Sequence, residues 1–248
     1  MVKALDIIGT CDRILQAESF SDYGPNGLQV PGRKDVRLVT TGVSATLALF
    51  ERAAELGADL VITHHGLFWD GQSRALSPAM ARRLRVRLEA DIGLAAYHLP
   101  LDGHPEHGNN AILAERLGCD RHEAFTAIGR AGEFAGDGIT AADLRARVKE
   151  VTGREPLVQG AGPDRVRRIA IVSGAAADML EQAAAEGFDA FLTGEPKERS
   201  MADAEEAGIH FVAAGHYATE TFGIRRLGEL LAAEHGIEHV FVDLPNPV

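Results

Sequence analysis

Residues 50–63 read FERAAELGADLVIT, and residues 180–193, offset by 130, read LEQAAAEGFDAFLT. Glu51 matches Glu181, Ala53 and Ala54 match Ala183 and Ala184, Gly57 matches Gly187, Asp59 matches Asp189, and Thr63 matches Thr193. Each copy reads as a helix, a glycine stop and then a strand. A further strand is expected before each helix, at residues 37–43 and 168–173. Both copies are then βαβ units, and the crossover makes their strands parallel. The expected fold class is α/β: two pseudo-repeated lobes, each a mixed, largely parallel sheet flanked by helices.

Between the copies, residues 129–138 are glycine-rich and poor in aliphatic side chains, and residues 160–163 make another turn. This places a boundary near residue 127, giving a first lobe 1–127 and a second lobe 128–248, with elements shared or exchanged between them. There is no low-complexity segment or long linker, which argues against a disordered interaction platform.

Three short apolar runs, residues 58–62, 92–96 and 209–214, read as buried parallel strands. Each ends in a motif rich in metal-ligand side chains: Thr63-His64-His65-Gly66, Tyr97-His98-Leu99-Pro100-Leu101-Asp102, and Gly215-His216-Tyr217-Ala218-Thr219-Glu220. Open α/β sheets bind ligands beyond the carboxyl ends of their strands. Successive strand residues point to opposite faces, so His64 and His65 suit two ions where the strand turns. His216 and Glu220, four apart, share one face if a helix starts there. Asp102, beyond Pro100, adds a hard oxygen to a histidine-rich set. The expected metal ligands are therefore His64, His65, Asp102, His216 and Glu220, holding two divalent ions per chain between the lobes. Zinc, manganese and iron all suit such donors. A bound divalent ion can bring the pKa of water down to about 7, which makes hydrolysis the natural chemistry.

Other residues fit plainer roles. Taken one at a time, His98, His104, His107, His122, His210, His235 and His239 suit core or capping positions. His98 is the closest case, since it shares a strand end with Asp102 and could shuttle protons. Asn109 and Asn110 suit caps for a helix beginning near Ala111. Glu195 could face the site or lie in solvent, and residues 22–27 (DYGPNG) form a turn that could line a pocket. Lys197, Arg199, Arg225 and Arg226 could accept a phosphate, but the surface is their more ordinary place. No nucleophile elbow, phosphate loop or dinucleotide fingerprint is present.

Composition excludes several classes. The 248 residues carry a formal charge of −11, with 46% apolar and 25% charged residues. Lys and Arg are scattered apart from short clusters such as Arg82-Arg83, so a nucleic-acid partner is not expected. Cys11 and Cys119 are too few for a disulfide framework and suit a reducing cytoplasm. Residues 1–16 read as an amphipathic helix rather than a signal peptide, and no apolar run nears the roughly 18 residues of a membrane span.

The run from Thr63 to Trp69 (THHGLFW), the run His98-Leu99-Pro100-Leu101-Asp102 with Gly108-Asn109-Asn110 behind it, the Thr193-Gly194-Glu195 turn and the Gly215 to Glu220 motif together resemble the GTP cyclohydrolase 1 type 2 homologue family, also called the Ngg-interacting-factor-like family. Asn26-Gly27-Leu28-Gln29-Val30 and Asp243-Leu244-Pro245-Asn246-Pro247 extend the resemblance over nearly the whole chain. It implies two similar lobes, the same five ligands on a pair of divalent metals, Glu220 as the bridge between ions, and a ring-shaped homohexamer with its metal sites facing a cavity. The implied reaction is opening of the purine ring of GTP by water attack at C8, with release of formate. The chain departs from members with Thr-Gly-Asp and a following histidine pair, having Glu195-Pro196-Lys197-Glu198 instead.

Three roles fit these observations. The first is a dinuclear metal-dependent hydrolase acting on a nucleotide or similar small molecule, with Glu220 and His98 as catalytic residues. The second is a ring-forming metal-binding scaffold or regulatory protein without catalysis. The third is a metal-handling protein.

Overall fold

The computed structural model describes residues 1–248 and turns the sequence echo into two copies of one chain path. The first copy runs β1 (Val2–Lys3), α1 (Ala4–Leu15), β2 (Gly27–Val30), β3 (Asp35–Val36), β4 (Leu38–Ser44), α2 (Leu47–Leu56), β5 (Leu60–His65), α3 (Pro78–Glu89) and β6 (Gly93–Ala96). Next come α4 (Leu99–Gly103), α5 (Asn109–Arg116), β7 (Arg121–Ala124) and β8 (Arg130–Glu133). The second copy repeats the first in order: β9 (Ile139–Thr140), α6 (Ala141–Thr152), β10 (Leu157–Gln159), β11 (Arg165–Val166), β12 (Arg168–Val172), α7 (Leu180–Ala185), β13 (Ala190–Thr193), α8 (Ser200–Ala207) and β14 (His210–Ala213). After it lie α9 (His216–Thr219), α10 (Thr221–His235) and β15 (Glu238–Phe241).

Pairing repeats along with order. β1 lies antiparallel to β3 as β9 does to β11. β4, β5 and β6 are parallel with β2 antiparallel on β6, while β12, β13 and β14 are parallel with β10 antiparallel on β14. The copies differ at their other edge, where β15 joins β4 in parallel but β8 and then β7 join β12 antiparallel. The result is a five-stranded sheet and a six-stranded sheet. The echo reaches single atoms: Asp59 Oδ2 accepts from the backbone N–H groups of Arg37 and Leu38, and Asp189 Oδ2 from those of Arg167 and Arg168.

Why these runs are apolar throughout, rather than alternating, is clearest in the second sheet. Ile169, Ile171, Leu192 and Val212 pack on one side with Leu113, Leu144 and Val148 of α5 and α6. Ala170, Val172, Phe191 and Phe211 face the other side, against Leu180 and Ala183 of α7 and Ala204 of α8. A parallel strand covered on both faces has no side to leave polar. In the first sheet, Val61 and Leu94 pack with Leu49, Phe50 and Ala53 of α2. That helix is capped by the Thr46 side chain at its start and ends, as the glycine stop predicts, on Gly57 at φ +69.

Two compact units result, Met1–Leu101 with Gly223–Leu244 and Asp102–Phe222 with Pro245–Val248. They divide inside α4 and again inside α10. Residue 127, the boundary expected from composition, lies instead in the turn between β7 and β8. β8 hydrogen-bonds to β12, which ties the segment before it to the second sheet, and β15 pairs with β4, which returns the last helix and strand to the first. No helix is long and apolar enough to cross a membrane.

Candidate metal centre

In the unit built on the first sheet, β6 ends opposite Thr63, so His64 and His65 run past it while β4 still supports His65 through Ser44. Here the two adjacent histidines do not diverge: their ring centroids are 4.5 Å apart, and both lie close to His98, at 5.1 and 5.6 Å. His64 is wholly buried. One ligating atom from each of the three lies within 4.8 Å of the others.

What orients these rings is a separate partner on each Nδ1. His64 Nδ1 meets the carbonyl of Tyr97 at 3.1 Å, His65 Nδ1 the hydroxyl of Ser44 at 2.9 Å, and His98 Nδ1 the Asp22 carboxylate at 2.7 Å. A carbonyl or carboxylate only accepts, so for His64 and His98 Nδ1 carries the proton and Nε2 the lone pair. Asp22 also accepts from Asn26 Nδ2 and the Leu99 N–H, while Asn26 Oδ1 accepts from the His98 N–H. Burial would raise the Asp22 carboxyl, but these bonds, led by His98, outweigh it and hold it at about 2.

In the other unit, α9 is a single turn that brings His216 Nε2 within 3.0 Å of Glu220 Oε1, the one-face arrangement expected from their spacing. His216 Nδ1 hydrogen-bonds to Glu195. Burial alone would lower the His216 imidazole, but Glu220 and Glu195 more than reverse it and raise it to about 9. Glu195 stands 130 residues after His65, at the same strand end of the second copy, and there it orients a histidine instead of being one. Asp102 is 4% exposed, and its Oδ1 accepts from both Asn109 Nδ2 and Ser173 Oγ at 2.8 Å. Asp102 and Glu220 each offer a carboxylate oxygen within 4.8 Å of the other.

The structure corrects one role. Asn109 and Asn110 do not cap α5; they are its first two residues, follow Gly108 at the cap, and are fully buried. Asn110 Oδ1 accepts from the Ser173 N–H and its Nδ2 donates to the Ile128 carbonyl. Their side chains thus tie β12's end and the β7–β8 turn to Asp102. The Ser173-Gly174 corner also needs glycine: Gly174 has φ +68, and a Cβ there would lie 2.4 Å from Glu220 Oε1.

Of the remaining candidates, Lys197 and Arg199 pair with Asp178, Arg225 with Asp243 and Arg226 with Glu229, so all four have carboxylate partners. His210 lies buried between Gly162 and Pro163, His235 bonds Thr10 and His239 bonds Thr41, as ordinary packing histidines do. Burial pushes the Cys11 thiol up and the Cys119 thiol up to about 12, so neither suits a nucleophile at neutral pH.

A protein of Pseudomonas aeruginosa named GTP cyclohydrolase 1 type 2 homolog is 45% identical over 246 residues, covering 97% of each chain. One of the same name from Vibrio cholerae is 41% identical over 254 residues, covering 98% of this chain and 99% of the relative. The solved structure of protein ybgI, described as of unknown function, superposes over 100% of both chains with a TM-score of 0.96 at 41% identity. The profile of Duf34/NIF3 (NGG1p interacting factor 3) matches residues 2–247. The chain belongs to the Duf34/NIF3 family. The family resemblance read from the strand-end motifs is thereby shown, together with a mixed α/β fold of parallel and antiparallel strands flanked by helices. In this family member the sequence motifs located the imidazoles and carboxylates but missed their anchors Asp22, Ser44, Asn109 and Ser173. Only Glu195 carried a usable signal, its offset from His65 in the internal echo.

Proposed function

We propose that this Duf34/NIF3 protein is a metal-dependent hydrolase in which His64, His65, Asp102, His216 and Glu220 hold two divalent ions, with ligands drawn from both halves of the chain. The observation that carries this is the clustering of donor atoms: one ligating atom from each of His64, His65 and His98 lies within 4.8 Å of the others, as do carboxylate oxygens of Asp102 and Glu220, while the Nδ1 atoms of His64, His65, His98 and His216 are held by neighbouring groups. The donor set, nitrogens with two buried carboxylates, fits zinc, manganese or iron. Divalent ions held there would supply Lewis acidity and acidify a water molecule.

The chain's own groups would do the rest. Glu220 is ligand and catalytic carboxylate. His98, with its Nδ1 proton on a carboxylate that stays ionised, presents Nε2 as the base that takes a proton and then returns it to a leaving atom. The relatives' name directs attention to GTP, and a nucleotide or similar small molecule is the substrate class proposed. A ring-shaped homohexamer belongs to the same reading.

The test is elemental analysis of purified protein together with formate release from GTP, with and without added zinc or manganese. Two ions per chain and metal-dependent turnover that Glu220→Gln abolishes, in a protein still folded, is the expected result. A Glu220→Gln variant with full activity overturns the assignment; two ions without turnover of GTP or other hydrolysable nucleotides leaves the scaffold reading in its place.

A further inference from the structure

The single Trp and three Tyr of this chain all lie beside site residues: Tyr23 follows Asp22, Trp69 comes four after His65, Tyr97 precedes His98 and Tyr217 follows His216. Tyr97 is buried, with its hydroxyl on Asp12 and the Ile8 carbonyl, and works as a packing residue. Tyr23 is different. It is 67% exposed, and its ring centroid is 6.1 Å from that of His98. Trp69, partly exposed, stands edge-on to the same imidazole at 5.0 Å and lies 6.0 Å from His65.

We infer that Trp69 and Tyr23 form a rigid aromatic wall on the histidine cluster, built to stack a planar nitrogen heterocycle carried by the substrate. The inference rests on the metal-centre reading above and adds to it the residues that recognise the ring. Two loops carry the wall, and they are locked together. The Asp70 N–H donates to the Tyr23 carbonyl at 2.7 Å. Gln29 spans the loops, donating from Nε2 to the Pro25 carbonyl and accepting at Oε1 from the Leu67 N–H, both at 2.9 Å. Gly24 lets the backbones touch, because a Cβ there would lie 2.5 Å from the Phe68 carbonyl oxygen. On Tyr23's other side, Asp22 and Asn26 grip His98 and Leu99.

Such a turn has little freedom to fold Tyr23 away from water. Leaving that ring exposed costs hydrophobic burial, which a planar ring stacked beside the cluster would recover. A rigid ring also loses little conformational entropy on stacking, which is why aromatic side chains serve as base platforms.

The experiment uses the metal-loaded full chain and adenosine and guanosine 5′-monophosphates as probes, against ribose 5-phosphate, which lacks the ring. Trp69 is the only tryptophan, so fluorescence quenching reports on this site alone. The nucleotides should quench and bind while ribose 5-phosphate does neither. By calorimetry, Trp69→Leu and Tyr23→Leu should each weaken nucleotide binding on the order of 10- to 100-fold, whereas Trp69→Phe, which keeps a ring, should stay near wild type. Tyr23 is exposed enough that its replacement leaves the fold intact. Nucleotide binding unchanged in both Leu variants, or ribose 5-phosphate binding as tightly as the nucleotides, overturns the wall. Metal content, measured on the same samples, separates the two readings. A chain that loads two ions but does not distinguish rings keeps the metal centre and loses the wall; one that loads none but discriminates rings does the reverse.

Discussion

Ser173 donates its hydroxyl to Asp102 Oδ1, the oxygen that Asn109 also reaches, although the serine lies 71 residues further along the chain. Two donors on one oxygen hold the Asp102 carboxylate in a single orientation, and in the proposed metal centre they would position it as a ligand. Groups that hold a ligand in this way typically change metal affinity 10- to 100-fold when removed. Ser173→Ala should therefore weaken binding of one of the two ions by about that factor, read by competition with a chromophoric chelator, while Ser173→Thr, which keeps the hydroxyl, should restore it. An alanine variant that binds both ions as wild type does would show that the contact is only packing.

Gly174 and Gly57 make a controlled pair. Both are left-handed, at φ +68 and +69, but a Cβ on Gly57 meets open space whereas one on Gly174 would press on Glu220 Oε1. Gly57→Ala should lose about 1–2 kcal/mol of stability from backbone strain and keep its metal content. Gly174→Ala should lose at least as much and also fail to load metal, because Glu220 must swing away. Equal metal content in the two variants would mean that Glu220 tolerates the shift.

How much of this was legible beforehand depends on distance along the chain. β5, β13 and their helices could be read because an apolar run beside a glycine stop is a local signal; His64 and His65 stood at the end of the β5 run, and His216 and Glu220 followed the apolar run of β14. The i, i+4 pairing of His216 with Glu220 was likewise a local prediction. Asp22 reaching His98, 76 residues away, has no local signature, nor does Ser173 reaching Asp102. The edges of the sheets were hidden for another reason. β7 reads Arg-His-Glu-Ala and β15 Glu-His-Val-Phe, short strands with exposed polar positions and too few residues to show a period. Those edges decide where the compact units divide, so the boundary was the least readable feature. The adjacent histidines taught the converse: strand alternation predicted divergence, and the strand's end let the rings converge.

Asp59 and Asp189 do the same task in the two copies with different exposure. Each accepts two backbone N–H groups at the start of its parallel strand, but Asp59 is 8% exposed while Asp189 is more open to water. Replacing either leaves two donors to find new partners, and an unsatisfied buried donor costs about 1–3 kcal/mol. Asp59→Ala should then lower the midpoint of urea unfolding more than Asp189→Ala. The reverse order would indicate that water reaches the Arg37 and Leu38 N–H groups once the carboxylate is gone.

His239 gives the fold a pH dependence away from the candidate centre. Its Nε2 lies 2.8 Å from the Thr41 hydroxyl, and α10 packs so closely over it that a Cβ on Gly228 would fall 2.0 Å from that nitrogen. Burial disfavours the imidazolium and lowers the pKa below its ordinary 6.5, with Glu229 opposing weakly. Since the unfolded chain binds this proton more readily than the folded one, the stability His239 contributes is present above about pH 6.5 and is lost as the pH falls through that value toward the folded pKa. Wild type should therefore lose more thermal stability between pH 7.5 and 5.5 than a His239→Gln variant does, with both compared at the same metal loading. If the two curves run parallel over that interval, the imidazole accepts its proton in place and β15 does not sense pH.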